Sequence, residues 1–229
     1  PVLLPYPGGR HPRIGFLEGA IRPQRGTKAS VFLPWEDSGY VVIDLPEAIF
    51  SNLGLTYLAH THIPTIWDEK GVTLKNIDWS RNEDGSLEFK RVLPNKIAFG
   101  ASIRLRKKIV HMELWLRNGT SEPLTDLRTQ ICVMTKGARA FDAQTNENKL
   151  LREPVAAVES EEGGRWILTA WEECGRVWAN EDVPCFHSDP VLPDTEPGET
   201  VRVRGWLWFY EGEEVDKEIE RALNAFRLQ

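Results

Sequence analysis

Hydrophobic and polar positions alternate along much of this chain, most strictly over Ile109 to Arg117, and a period of two is the signature of a strand with two different faces. There Val110, Met112, Leu114 and Leu116 form an apolar face, and His111, Glu113, Trp115 and Arg117 a chemically equipped one, at roughly 7 Å spacing. The same alternation predicts strands over Ala29 to Leu33, Tyr40 to Leu45, Leu55 to Ile63, Val72 to Trp79, Leu87 to Leu93, Ile97 to Arg106, Leu124 to Lys136, Val155 to Glu159, Trp166 to Trp171 and Thr200 to Tyr210. Asp84-Gly85 and Asn118-Gly119 mark hairpin turns; the second also opens an Asn-Gly-Thr sequon, for which a turn is the simpler account.

Other stretches break the period. Residues 1–39 are rich in Pro and Gly and read as an irregular opening with short extended pieces. Leu45 to Phe50 reads as one helical turn with Pro46 at its first position. Gly137 to Pro154 reads as a polar loop and Asn180 to Gly198 as irregular. Val215, Ile219, Ala222, Leu223 and Phe226 recur at helical spacing, which predicts a helix over 215–226. The expected architecture is an all-β antiparallel β-sandwich or supersandwich with one short C-terminal helix, in one domain over 1–229.

Composition narrows the function. With 28 basic and 34 acidic residues and a net charge of −6, the chain has no basic excess to displace counterions from nucleic acid or an anionic membrane. No apolar run reaches the length of a bilayer span. Cys132, Cys174 and Cys185 cannot all pair within one chain and have no C-x-x-C spacing, so they read as reduced core thiols, which favours a cytoplasmic setting. The absence of an initiator Met leaves secretion open, and nothing opposes a homo-oligomer. Nine tryptophans are many for this length; they fill cores, but sugar-binding proteins also lay exposed indoles under pyranose rings.

Three polar rows are candidates for chemistry. His60 and His62, two residues apart on an expected strand, present two imidazoles to one side, either as a metal pair or as partly buried hydrogen-bonded rings. His111 and Glu113 add an imidazole and a carboxylate, and His187 lies in the sequence Cys185-x-His187. Arg202, Arg204, Trp206, Trp208 and Tyr210 share one face of the last strand, where guanidinium and aromatic groups suit a sugar or uronate; the alternative is a strand buried on both sides.

Gly54-x5-His60-x-His62 resembles the first metal motif of the cupins, although Glu69 comes late for the next ligand and no second motif follows. The Pro-rich opening Pro1 to Arg10, the long alternating strands and the His/Glu/Arg/Trp face resemble the galactose-mutarotase-like β-sandwiches, and that resemblance implies sugar binding on the concave side of one large sheet. The chain departs from the epimerases in lacking a late catalytic Glu motif. The stretches His60 to Trp67 and Gly205 to Gly212 are also similar to a group of bacterial proteins of unassigned function.

The reading that follows is a carbohydrate-active enzyme acting by hydrolysis or β-elimination on a sugar or uronate held on a concave sheet face. His60, His62, His111 and Glu113 are its expected acid–base residues. A divalent metal would be held by His60, His62, Glu113 and His187, and Arg104, Arg128, Arg204, Trp115, Trp206, Trp208 and Tyr210 would bind substrate. The alternatives are a non-catalytic carbohydrate-binding domain and a cupin-like metal-dependent oxygenase.

Overall fold

In a computed structural model, described for residues 1–6, 28–61 and 63–227, two antiparallel sheets stack face to face and one helix closes an outer face. In chain order the strands are β1 (Val2–Pro5), β2 (Lys28–Phe32), β3 (Tyr40–Ser51), β4 (Gly54–Leu58), β5 (Ser80–Arg81), β6 (Leu87–Val92), β7 (Ala98–Arg106) and β8 (Ile109–Arg117). They continue as β9 (Arg128–Met134), β10 (Lys149–Arg152), β11 (Val155–Glu159), β12 (Arg165–Trp171), β13 (Cys174–Asn180), β14 (Cys185–Pro190) and β15 (Thr200–Glu211), and α1 spans Val215–Phe226. The smaller sheet runs β1-β2-β3-β9-β14-β13 with β4 also on β3; the larger runs β10-β11-β12-β15-β8-β7-β6-β5. The all-β sandwich with a single C-terminal helix is therefore the observed fold.

One apolar cluster takes Val31, Ile43, Ile131, Val133 and Phe186 from the smaller sheet and Phe99, Ile103, Leu114, Leu116 and Leu207 from the larger. Alternation makes this possible, since each strand turns one row inward and leaves the other for the outer face. A second cluster lies outside the larger sheet, where Ile219, Ala222 and Phe226 of α1 cover Val155, Leu168, Trp206 and Trp208. Packing at the strand pairs is close. Gly205 stands opposite Trp171, and a Cβ on it would fall 2.3 Å from the indole of that fully buried residue. Gly205→Ala is therefore expected to cost about 1–3 kcal/mol by overpacking, read as a lowered Tm. An unchanged Tm would mean that Trp171 has room to move.

Several expectations from the sequence are corrected. Leu45 to Phe50 is not a helical turn but the middle of β3, whose Leu45 and Ile49 are buried; pairing with β9 and β4 overrides the Pro signal. Pro46 lies where the β3–β9 register shifts between Asp44 and Ala48, so its missing N–H breaks no ladder bond there. The strand from Leu55 ends at Leu58, before His60. Val72 to Trp79 forms no strand: side chains rather than a ladder pin it, Arg91 Nη2 donating to the Lys75 carbonyl at 2.8 Å and Trp79 Nε1 to the Lys28 carbonyl at 2.7 Å. The strand from Leu124 is shorter, starting at Arg128, and β10 lies inside the expected polar loop. Asn180 to Gly198 is not irregular throughout, because it contains β14. Asn118 is fully buried and donates to the Glu122 and Thr195 carbonyls, which fits its reading as a turn residue.

Candidate functional site

The polar rows do not share a face. His60 and His187 belong to the outer side of the smaller sheet, and His111 and Glu113 to the outer side of the larger one, with the core between them. The expectation of one surface uniting them is corrected on that ground. His62 lies outside the described residues.

On the larger sheet, Arg104, His111, Glu113, Arg204 and Trp206 line an open depression of about 430 Å³. Two of its arginines are engaged, Arg204 in a bidentate pair with Glu172 and Arg104 at 3.4 Å from Asp84, and on the same strand as Arg204, Arg202 Nη1 donates to Glu113 at 2.7 Å. Partial burial, with the charges of Arg106 and Arg104, holds His111 below the usual imidazole range. Trp115 packs over Gly100. Trp206 and Trp208 are 5% and 2% exposed, stacked under Phe226, and so do not offer a ring face to a sugar. The Tyr210 hydroxyl accepts from the Glu214 N–H at the start of α1.

The smaller sheet holds the denser chemistry. Lys28, Asp44, Cys132, His187 and Trp178 stand in register across β2, β3, β9, β14 and β13, each directly beside the next. All but Trp178 are buried. The β3 bulge adds Glu47 to this outer row, and His60 arrives just after β4, where the Ala59 N–H donates to the Glu47 carbonyl. Glu47 then lies between two imidazoles: Oε1 is 3.0 Å from His60 Nε2, and Oε2 is 3.9 Å from His187 Nδ1. Asp44 Oδ2 is 3.3 Å from the same His60 nitrogen and pairs with the Lys28 ammonium.

Around His187 the shell is fully built. Trp178 stacks on its ring at 3.9 Å and 17°. Asp189 Oδ1 lies 3.6 Å from Nδ1 and accepts from the Ile131 N–H, while its Oδ2 accepts from Arg176 and Trp178. Cys185 Sγ is 3.5 Å from Nε2. Within this cluster Asp44 Oδ1 and His187 Nδ1 are buried with no hydrogen-bond partner among the described residues.

The charges are mutually compensating. Burial pushes the Glu47 carboxyl up, but its hydrogen bond to His60 and the charges of His187, His60 and Lys28 outweigh this and hold it at about 2. Burial lowers Lys28 to about 8 against the pull of Cys132, Glu47 and Cys185. Burial would also lower His187, yet Asp189, Cys185 and Glu47 raise it to about 10. The hydrogen bond from Cys132 brings the Cys185 thiol down to about 6, and Cys132 rises correspondingly.

Beside this cluster, sharing Asp189 as a wall, is a groove of about 200 Å³ lined by Phe50, Arg128, Gln130, Arg176 and Val191. Arg128, an expected substrate residue, sits there over the Phe50 ring and bonds to Asp126. Sequence reasoning named His60 and His187 but missed Asp44, Glu47, Cys132, Cys185 and Asp189. The alternation Cys185-x-His187-x-Asp189 was the available signal for the last strand.

No helix among the described residues is long and apolar enough to cross a membrane. No family model and no curated protein matches the chain. Among solved structures, the chain is similar to the Slr1438 protein of Synechocystis sp. PCC 6803, with TM-score 0.46 and 12% identity over 82% of this chain and 90% of that one. It is also similar to a polysaccharide lyase, with TM-score 0.42 and 10% identity over 86% of this chain and 32% of the lyase. A kojibiose phosphorylase from the human microbiome gives TM-score 0.45 and 7% identity over 89% of this chain and 32% of its own, so the chain spans about a third of the length of these last two proteins.

Proposed function

We propose that the chain is a carbohydrate-active enzyme that breaks a uronate linkage by β-elimination, with His60, held by the Glu47 carboxylate, moving the proton. The observation that carries this reading is the Glu47–His60 contact at 3.0 Å, in a cluster whose Asp189 also walls a groove lined by two arginines. Carboxylate and imidazole in contact form a proton-transfer pair. Glu47 is also the member of the cluster open to a ligand, its side chain 17% exposed against 3% for Asp44.

Spacing favours elimination over hydrolysis. Glycosidases hold two carboxyl groups roughly 5–9 Å apart so that they flank the scissile bond. Here Asp44 Oδ2 and Glu47 Oε1 lie 3.3 and 3.0 Å from one and the same His60 nitrogen, which leaves no room between them for a linkage. Elimination needs no such gap. The His60 imidazole, oriented by the Glu47 carboxylate, takes the proton from the carbon next to the substrate carboxylate, and the released electron pair forms a double bond to the neighbouring carbon. The bond from that carbon to the glycosidic oxygen breaks, and the oxygen takes a proton back from His60. In the groove, Arg128 and Arg176, paired with Asp126 and Asp189, would take the substrate carboxylate as a further partner, Phe50 and Val191 offer an apolar surface to the ring, and Gln130 can bond its hydroxyls.

Glu47→Gln and His60→Gln are each expected to slow formation of the unsaturated product by about 10²–10⁴-fold while far-ultraviolet circular dichroism shows the chain still folded at the assay temperature. The measurement is the ultraviolet absorbance of unsaturated uronate, with pectic, alginate and glycosaminoglycan substrates. A wild-type chain that forms no such product, or variants that keep full activity, would overturn the reading.

A further inference from the structure

We propose that Cys132, Cys185 and His187 form a binding site for one zinc ion on the outer face of the smaller sheet, a site that stands whether or not the chain is a lyase. Three observations lead there. First, strand geometry collects the ligands: Cys185 and His187 alternate on β14, and Cys132 on β9 stands directly opposite His187. Their donor atoms all lie within 4.8 Å of one another, and all three residues are at most 4% exposed. A tetrahedral zinc site with its usual bond lengths has ligand–ligand edges of roughly 3.5–3.8 Å. Cys185 Sγ and His187 Nε2 are already 3.5 Å apart.

Second, the far side of the imidazole faces carboxylates, as that of a metal-bound histidine does. Ligating histidines turn their second nitrogen towards a carboxylate, which fixes the tautomer. His187 Nδ1 is buried without a hydrogen-bond partner among the described residues, and it lies 3.6 Å from Asp189 and 3.9 Å from Glu47. Trp178, stacked on the ring, fixes its plane, and Asp189 is itself held by Ile131, Trp178 and Arg176.

Third, the charge balances and the donors choose the metal. Two thiolates cancel a dication, so loading releases protons to solvent and places no net charge in the sheet face. Thiolate and imidazole select zinc over the hard ions magnesium and calcium. The neighbouring set Asp44, Glu47 and His60 also lies within metal-ligand range, but the Lys28 ammonium already pairs with Asp44 and serves as its cation. Three protein ligands leave a fourth position for water or a small ligand, the pattern of reactive rather than closed structural zinc sites.

The test is titration of chelator-treated full-length chain with Co²⁺ under reducing conditions. The expected result is a sulfur-to-cobalt charge-transfer band that saturates at one equivalent and is displaced by Zn²⁺. Cys132→Ser and Cys185→Ser should each abolish or strongly weaken it, whereas Cys174→Ser and His60→Ala should leave it unchanged. Absence of the band in wild type overturns the proposal without reference to any variant. So does a band that survives both Cys132→Ser and Cys185→Ser, or binding that disappears only with His60→Ala, which would move the metal to the carboxylate set. Because the cobalt band reports metal binding and not turnover, its failure and the failure of the lyase reading are separate results.

Discussion

Replacing Asp189 with asparagine is expected to lower the unfolding free energy by about 3 kcal/mol or more, as two buried donors are left poorly matched. Asp189 is 3% exposed, and both carboxylate oxygens are committed. Oδ1 accepts from the Ile131 N–H at 2.9 Å; Oδ2 accepts from Arg176 Nε at 2.9 Å and from Trp178 Nε1 at 2.7 Å. An amide has one oxygen to offer. Whichever way it turns, its NH₂ faces either the backbone donor or the indole and guanidinium donors, and an orphaned buried donor costs about 1–3 kcal/mol. Arg176→Gln provides the contrast. That side chain is 54% exposed, so its ion pair is screened and its loss should cost at most about 1 kcal/mol. Urea unfolding of both variants checks the pair of values, and a loss below 1 kcal/mol for Asp189→Asn would show that the carboxylate is not needed to hold β9, β13 and β14 together.

A loss of similar size, about 3–5 kcal/mol, is expected for Phe226→Ala. Phe226 is 2% exposed, its ring parallel to Trp206 at a centroid distance of 4.4 Å and edge-on to Trp208 at 5.3 Å. Truncation removes the largest apolar contact of α1 and leaves a cavity above two indoles. Since Trp208 Nε1 has no hydrogen-bond partner among the described residues, packing is what holds that ring. The variant should therefore melt earlier and show a red-shifted tryptophan emission as the indoles meet water. If Trp206 and Trp208 were ligand platforms under a loosely docked helix, stability would stay near wild type.

What could be read from the sequence was what lies within one element. The strand Ile109 to Arg117, the strand Val155 to Glu159 and the helix from Val215 to Phe226 have the ends expected from the sequence, because the first and last turn one apolar row to a core and the second is a short apolar run buried on both faces. β14 escaped because its outward row, Cys185, His187 and Asp189, is polar although buried, so it shows no alternation of apolar core and polar surface positions. The site escaped for a further reason. Asp44, Cys132 and His187 meet through strand pairing, which no local window encodes, and Glu47 reaches the outer face through a bulge. Trp206 and Trp208 were misread because alternation tells which face a residue takes and not what covers that face.

The row from Lys28 to Trp178 also makes registration and chemistry one condition. If β9 or β14 docked one residue out of step, Ile131 would stand where Cys132 belongs, or Phe186 where His187 belongs. Such a chain would keep its strand content and its far-ultraviolet ellipticity. It would have neither the thiol–imidazole grouping nor the Glu47–His187 contact, so the chemistry of this face reports correct assembly where bulk spectroscopy is blind to the error.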